Sequence, residues 1–164
     1  MLRFVALLGG LAGAAGMSQF PEYSQQYTQR LAGAVDELRV VVEDFDASAQ
    51  ASGLTREEAL AELSGSEFLD RRQADMTRVI NRYTRLQSNL ITFENAGPFA
   101  RLRLTPRVAD PEIAAKAWDD FKPAVPLTPA GAVFAGIGYV SGWLGLAMLW
   151  SLIRLPFRRR RRVN

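Results

Sequence analysis

Cysteine and histidine are both absent from this sequence of 164 residues. The first absence excludes disulfides and thiol chemistry, and the two together exclude the usual Cys and His ligands of zinc. Without histidine, no imidazole can act as a general acid or base near neutral pH. We find no glycine-rich phosphate loop, nucleophile elbow or metal-ligand spacing. We therefore expect a protein that is not an enzyme, with no catalytic residues, no metal site and no cofactor.

Charged residues are missing from two long stretches, residues 4–21 and 123–153. As a helix, the apolar core of the second stretch would span roughly 36 Å, more than the roughly 30 Å of a bilayer's hydrocarbon core. The first stretch is near the lower length limit for crossing a membrane. These patterns predict transmembrane helices within residues 1–20 and 128–157. The first segment also has features of a cleavable signal peptide, because its short apolar run ends in small residues, and this alternative stays open.

The remaining charges are segregated along the chain. All 17 acidic residues lie between Glu22 and Asp120, whereas Arg3, Arg154 and residues 158–162 add basic charge at the ends. Because Lys and Arg favour the cytoplasmic side of membranes, we expect both termini in the cytoplasm. The chain would then be a multi-pass protein of the bacterial inner membrane. Residues 21–127 would form a periplasmic helical domain and residues 158–164 a basic tail. No nucleic-acid partner is expected, because the basic charge follows membrane topology.

The segment between the apolar ends is predicted to be helical. Thr55 and Glu58 match a capping box that begins a short helix, and Ser66 can cap a long helix that ends before Gly97. An earlier long helix has apolar residues at alternating spacings of four and three, as in a coiled coil. These seam residues are Tyr27, Leu31, Ala34, Leu38, Val41 and Phe45. The predicted fold class is all-α, with two terminal transmembrane helices flanking an antiparallel helical-hairpin domain.

Residues 99–108 alternate apolar and basic side chains. This alternation favours a short extended segment, or a segment at the membrane surface with its arginines toward lipid headgroups. Asp110 followed by Pro111 then predicts the start of another helix. Prolines within residues 123–129 are expected to stiffen the linker to the second apolar stretch.

Small residues recur four positions apart within both apolar stretches. Gly9 and Gly13 form one such pair, and Gly138 and Gly142 form another. Because this spacing lets transmembrane backbones approach closely, the four glycines are candidate helix-packing residues. The two spans would pack on each other, on a protein partner or on a second copy of the chain. Glycine is also common in membrane helices without any such role, so the spacing alone does not decide.

Six aromatic and basic residues are candidates for binding a lipid headgroup or a small molecule near the membrane. These residues are Tyr23, Tyr27, Arg30, Arg101, Arg103 and Trp118. An aromatic belt at the membrane interface explains the same pattern without a specific ligand. The leading hypothesis is a scaffold or accessory subunit that contacts membrane lipid and a partner protein. The alternative is a lipid- or small-molecule-binding module at the periplasmic face of the membrane.

Several short motifs are spread along the chain: Gln19-Phe20-Pro21 with Tyr23, Gln26-Tyr27, Gln29-Arg30-Leu31, Tyr83-Thr84-Arg85-Leu86 and Val125-Pro126-Leu127-Thr128-Pro129. In these motifs the chain resembles a bacterial membrane protein family known as domain of unknown function 2937. Residues 55–66 match nothing in that family. The resemblance implies two terminal membrane spans around a helical domain, and it implies no activity and no catalytic residue.

Overall fold

The computed structural model describes residues 2–123 and 128–159. The described residues form seven α-helices and contain no strand, which confirms the predicted all-α class. The helices are α1 (Leu2–Ser18), α2 (Phe20–Ala51), α3 (Arg56–Glu62), α4 (Glu67–Glu94), α5 (Pro98–Val108), α6 (Pro111–Asp119) and α7 (Pro129–Arg159). Most of the predicted proline linker and the end of the predicted basic tail lie outside the described residues.

The helices belong to two compact units. The terminal unit comprises residues 1–24 and 121–164, and the central unit comprises residues 25–120. Two helical stretches, Arg3–Ala51 near the N-terminus and Pro129–Ile153 in α7, are long and apolar enough to cross a membrane. Helix α7 begins as predicted at Pro129, because the Thr128 hydroxyl accepts a hydrogen bond from the Gly131 N–H at 3.1 Å.

The capping predictions for the central unit are confirmed. At the start of α3, the Glu58 N–H donates to the Thr55 hydroxyl at 3.2 Å, and the Thr55 N–H donates to the Glu58 carboxylate at 2.8 Å. At the start of α4, the Ser66 hydroxyl accepts a hydrogen bond from the Leu69 N–H. Helix α4 ends at Glu94, which agrees with the predicted end before Gly97.

The buried face of α2 departs from the predicted seam after Leu31. The predicted seam residue Val41 is 43% exposed, whereas its neighbour Val42 is 2% exposed. Val35, Val42 and Ala49 lie seven positions apart, so the buried face keeps a heptad spacing but is shifted by one position from the predicted Ala34 and Val41. The side chains that α2 buries most completely are Tyr27, Leu31, Val35, Val42 and Ala49.

Residues 98–108 form helix α5, so the prediction of an extended segment is wrong. The alternation that suggested a strand is overridden by a second pattern at helical spacing. Ala100, Leu104 and Val108 lie four residues apart and form a half-buried stripe along the helix. Gly97, which was expected only to mark the end of α4, is also the residue before α5, and Pro98 begins this helix because proline fits the first helical position.

Candidate functional site

Four glycines bring the backbones of α1 and α7 into contact within the terminal unit. A methyl group added to Gly13 would lie under 3.0 Å from the Gly138 carbonyl group, and one added to Gly142 would meet the Gly9 carbonyl group equally closely. Real Cβ atoms essentially never make such contacts. Because Gly9 pairs with Gly142 and Gly13 with Gly138, α1 and α7 run antiparallel. The structure thus brings together the four glycines that the sequence singled out.

Aromatic contacts continue this pairing beyond the glycines. The rings of Phe20 and Phe134 are 5.4 Å apart between centroids, and Phe134 is completely buried. Further along, Tyr23 meets Phe121 edge to face at 5.9 Å, a favoured geometry for aromatic rings. The order of these contacts keeps the antiparallel direction set by the glycines. Among the described residues, these contacts of the terminal unit are therefore made by small and aromatic residues.

The outward surfaces of α1 and α7 are apolar. Phe4 on α1 is 65% exposed and Met148 on α7 is 68% exposed. Many other large apolar side chains on these helices share this exposure, including Leu8, Leu11, Val140, Leu144 and Leu152. Contiguous apolar surface on this scale marks contact with a membrane or with another protein. The helix pair thus places Gly9, Gly13, Gly138 and Gly142 at its contact and turns most of its large apolar side chains outward.

In the central unit, a buried carboxylate links α4 to α6. Asp110 is 3% exposed, and its Oδ1 atom accepts hydrogen bonds from the N–H groups of Glu112 and Ile113 at 3.1 and 3.2 Å. It therefore caps the N-terminus of α6, as its position before Pro111 predicted. Its Oδ2 atom accepts a hydrogen bond from Arg85 on α4 at 3.1 Å.

The surroundings of Asp110 determine its ionisation. Burial by itself raises the pKa of the Asp110 carboxyl group, but the Ile113 N–H and the guanidinium groups of Arg85 and Arg82 outweigh burial and lower this pKa. Arg82 contributes through charge, since its Nη1 atom is 3.7 Å from Asp110. A lowered pKa means that the ionised carboxylate stabilises the fold above the pKa of the unfolded state. This contribution is lost as the pH falls through the folded-state pKa.

Tyr27 connects α2 to Asp110. The Tyr27 hydroxyl accepts a hydrogen bond from the Asp110 N–H at 2.9 Å, and the Tyr27 ring lies 5.1 Å from the Phe93 ring on α4. Tyr27 is only 2% exposed, so it is not accessible to a ligand in this structure. Its position makes it part of the core that holds α2, α4 and α6 together.

Replacing Tyr27 with phenylalanine is expected to destabilise the central unit by about 1–2 kcal/mol, because the buried Asp110 N–H loses its acceptor. For a unit of this size, the melting temperature would fall by roughly 5–10 °C. The measurement is thermal unfolding of the full chain in detergent, followed by circular dichroism. Tyr83→Phe is the matched control, since the Tyr83 hydroxyl accepts a hydrogen bond from the Gln87 side chain at an exposed position. Equal losses for the two variants would contradict the assignment.

A cleft of about 170 Å³ lies beside this cluster. It is lined by Arg30, Ala34, Arg82, Glu112, Ile113 and Lys116. The cations of the cleft already have carboxylate partners: Arg30 pairs with Asp120, and both Arg82 and Lys116 pair with Glu112. The cleft is smaller than the roughly 300–1,000 Å³ of most small-molecule pockets. An anionic ligand would have to displace these carboxylates, so the geometry does not favour a ligand here.

Of the six predicted binding residues, Tyr23 lies in the terminal unit and the other five lie in the central unit. Arg101 is half-buried, and its Nε atom donates to the carbonyl oxygens of Phe93 and Ala96, both at 2.9 Å. These bonds cap the end of α4 and give Arg101 a structural position. Arg103 and Trp118 are exposed, the latter at 67%.

The network around Asp110 contains residues that the sequence did not single out for binding, above all Arg82 and Arg85. Arg85 lies 25 positions before Asp110, and Arg82 lies 30 positions before its partner Glu112. The only local signal was the capping pattern of Asp110 and Pro111. Among the residues that the structure describes, no group of three or more Asp or Glu side chains is placed to hold a metal ion.

Comparison with known proteins gives a family but no characterised relative. No curated protein and no solved structure matches the chain. A family model described as "Protein of unknown function (DUF2937)" matches residues 1–162, a range that includes both candidate membrane helices and the whole central unit. Because the match covers almost all of the sequence, the chain belongs to the DUF2937 family.

Proposed function

We propose that this protein is a non-enzymatic scaffold or accessory subunit of a bacterial inner membrane. Helices α1 and α7 would cross the bilayer side by side, and the central unit would contact a partner protein outside it. The glycine contact between α1 and α7 is the observation that carries this proposal. It joins the two helices through four glycines and leaves most of their large apolar side chains facing outward.

This arrangement is the one expected in lipid. Apolar side chains gain nothing by leaving hydrocarbon for another apolar surface, so membrane helices associate through close backbone packing at small residues. In water, the same large apolar side chains would be the ones buried. The distribution of side chains on α1 and α7 therefore supports a bilayer as their surroundings.

The antiparallel pairing supports a topology. If α1 and α7 both cross the membrane, antiparallel packing places the two termini on the same side. The basic residues Arg3, Arg154 and 158–162 favour the cytoplasm for that side, which places the central unit in the periplasm. Within the central unit, contacts at both ends support an antiparallel hairpin of α2 and α4. Tyr27 meets Phe93 at one end, and α3 connects the two helices at the other.

The topology can be tested with single cysteines, because the natural chain has none. We expect Ala47→Cys, an exposed position on α2, to react with a membrane-impermeant maleimide in intact cells. Asn164→Cys should react only after the cells are permeabilised. The protein should also stay in the membrane fraction at alkaline pH. Release at alkaline pH would contradict the membrane anchor, and labelling of Asn164→Cys in intact cells would contradict the orientation.

The scaffold role requires a partner. Crosslinking in native membranes, followed by affinity purification and mass spectrometry, should recover a second protein linked to the central unit. A variant that keeps α1, α7 and the fold but carries charge reversals on exposed residues of the central unit would locate the contact. Recovery of this chain alone from crosslinked membranes would contradict the scaffold role. It would not affect the proposal that α1 and α7 anchor the protein in the membrane.

A further inference from the structure

Helix α5 presents an outward face that combines apolar and basic side chains. Phe99, Leu102 and Pro106 follow one another at spacings of three and four, so they share a face. All three are exposed, Phe99 at 45% and Leu102 at 36%. Arg103 and Arg107 lie one position further along and form an exposed basic row beside the apolar one. This combination is typical of helices that lie in the interface of a membrane.

The orientation of α5 is fixed by the protein itself. Its opposite stripe, residues 100, 104 and 108, is half-buried. The Asn89 side chain donates to the Val108 carbonyl oxygen at 2.9 Å, and Arg101 binds the carbonyl oxygens at the end of α4. These contacts hold both ends of α5 against α4. The central unit therefore presents the apolar and basic face outward, whether or not lipid is present.

Helix α5 also differs in charge from the rest of the central unit. The central unit contains 12 basic and 16 acidic residues, yet no acidic residue lies between Asn95 and Ala109. The three arginines of α5 therefore form a basic region in an otherwise acidic unit. A surface of this kind is complementary to an anionic partner that also accepts apolar side chains. A bilayer containing anionic lipids provides both properties.

We propose that α5 lies on the surface of an anionic bilayer, in an inference that rests on the membrane anchoring proposed above. Phe99 and Leu102 enter the boundary between headgroups and acyl chains, and Arg103 and Arg107 bind lipid phosphates. The lipid contact then holds the central unit at one orientation relative to the membrane plane. A soluble anion or an acidic protein would not require the apolar row.

The test uses the full chain in vesicles of phosphatidylcholine, with or without phosphatidylglycerol. A fluorophore on Leu102→Cys reports the lipid contact through quenching by lipids that carry a spin label near the headgroup. Met148→Cys on α7 reports membrane insertion, and Ala47→Cys on α2 is the matched control, since it is exposed in the central unit. We expect strong quenching at Leu102 in the vesicles that contain phosphatidylglycerol, and none at Ala47.

Replacing Arg103 or Arg107 with glutamine should lower the ratio of docked to undocked α5 about fivefold for each arginine in anionic vesicles. Arg71→Gln is the control, because Arg71 is an exposed arginine on α4 that pairs with Glu67. It should leave the quenching at Leu102 unchanged.

The outcomes separate this inference from the membrane anchor. Quenching at Met148 without quenching at Leu102 would overturn the inference and leave the anchor standing. Protection of the Leu102 label from both lipid-borne and water-soluble quenchers would show that protein, such as a second copy, covers α5, and this result would also overturn it. Absence of quenching at both positions would overturn the anchor and the inference together.

Discussion

Replacing Gly13 with isoleucine is expected to drive α1 and α7 apart. Even a single methyl group at this position would lie under 3.0 Å from the carbonyl group of Gly138. Since the obstacle is backbone, no side-chain rotation can relieve the clash, and the two helices must separate. Overpacking of this kind costs about 1–3 kcal/mol, which corresponds to a change of roughly 5- to 140-fold in the ratio of paired to separated helices.

The separation can be measured with spin labels on Phe4→Cys and Met148→Cys. Both positions are exposed, one on each helix, and the natural chain has no other cysteine. We expect a narrow distribution of distances between the labels in the parent protein and a broader, longer one in the Gly13→Ile variant. The label pair reports on the terminal unit alone.

Two glycines provide matched controls for this experiment. A Cβ atom at Gly16 on α1 or at Gly136 on α7 would meet nothing within 4 Å. Gly16→Ile and Gly136→Ile should therefore leave the distance distribution unchanged, although they alter helix propensity in the same way as Gly13→Ile. Identical distributions for Gly13→Ile and Gly16→Ile would show that the glycine contact does not hold α1 against α7.

Replacing Asp110 with alanine should cause a large loss of stability in the central unit. The variant loses the cap of α6, worth about 1 kcal/mol, and the charge-assisted hydrogen bond to Arg85. The second contribution is reduced because the Arg85 side chain is 53% exposed and water can replace its partner. A total of about 2 kcal/mol would lower the melting temperature by roughly 10 °C.

This loss should depend on pH in a defined direction. The pKa of Asp110 is lowered in the folded state, so its carboxylate stabilises the fold above the unfolded pKa of about 3.9. As the pH falls through the folded-state pKa, the parent protein loses this stabilisation and Asp110→Ala has none to lose. The difference in melting temperature between the two should therefore be largest near neutral pH and shrink in acid.

Asp36→Ala is the matched control for Asp110→Ala. Asp36 also pairs with an arginine, Arg39 at 3.2 Å, but both side chains are at least half exposed. Surface pairs of this kind contribute at most about 1 kcal/mol, so Asp36→Ala should change the melting temperature little at any pH. A difference that stayed constant from neutral to acidic pH would contradict the role assigned to the Asp110 carboxylate.

Helix starts were the features most readily predicted from sequence. Thr55, Ser66 and Asp110 each cap a helix through hydrogen bonds to residues within three positions. The two apolar ends were equally visible, because length and the absence of charge are properties of the chain alone. The conformation of residues 98–108 was harder to predict, because their apolar side chains recur both at every second position and at every fourth position. Only packing against α4 decided between them.

The residues that contact one another across the chain could not be predicted. Asp110 and Arg85 meet across 25 positions, and Gly9 meets Gly142 from the opposite end of the sequence. The spacing of the glycines indicated a packing face but not its partner. For the binding candidates, tertiary structure gave Tyr27 a buried position and Arg101 a role at the end of α4.

By itself, the sequence determined the helical class, the apolar ends and the start of each capped helix, because those features depend on interactions over a few neighbouring residues. The tertiary structure alone decided which faces of the helices meet, which carboxylate is buried and which arginines of α5 remain exposed. These outcomes depend on the path of the whole chain, since burial and ion pairing require groups that are distant in sequence to come within a few ångströms.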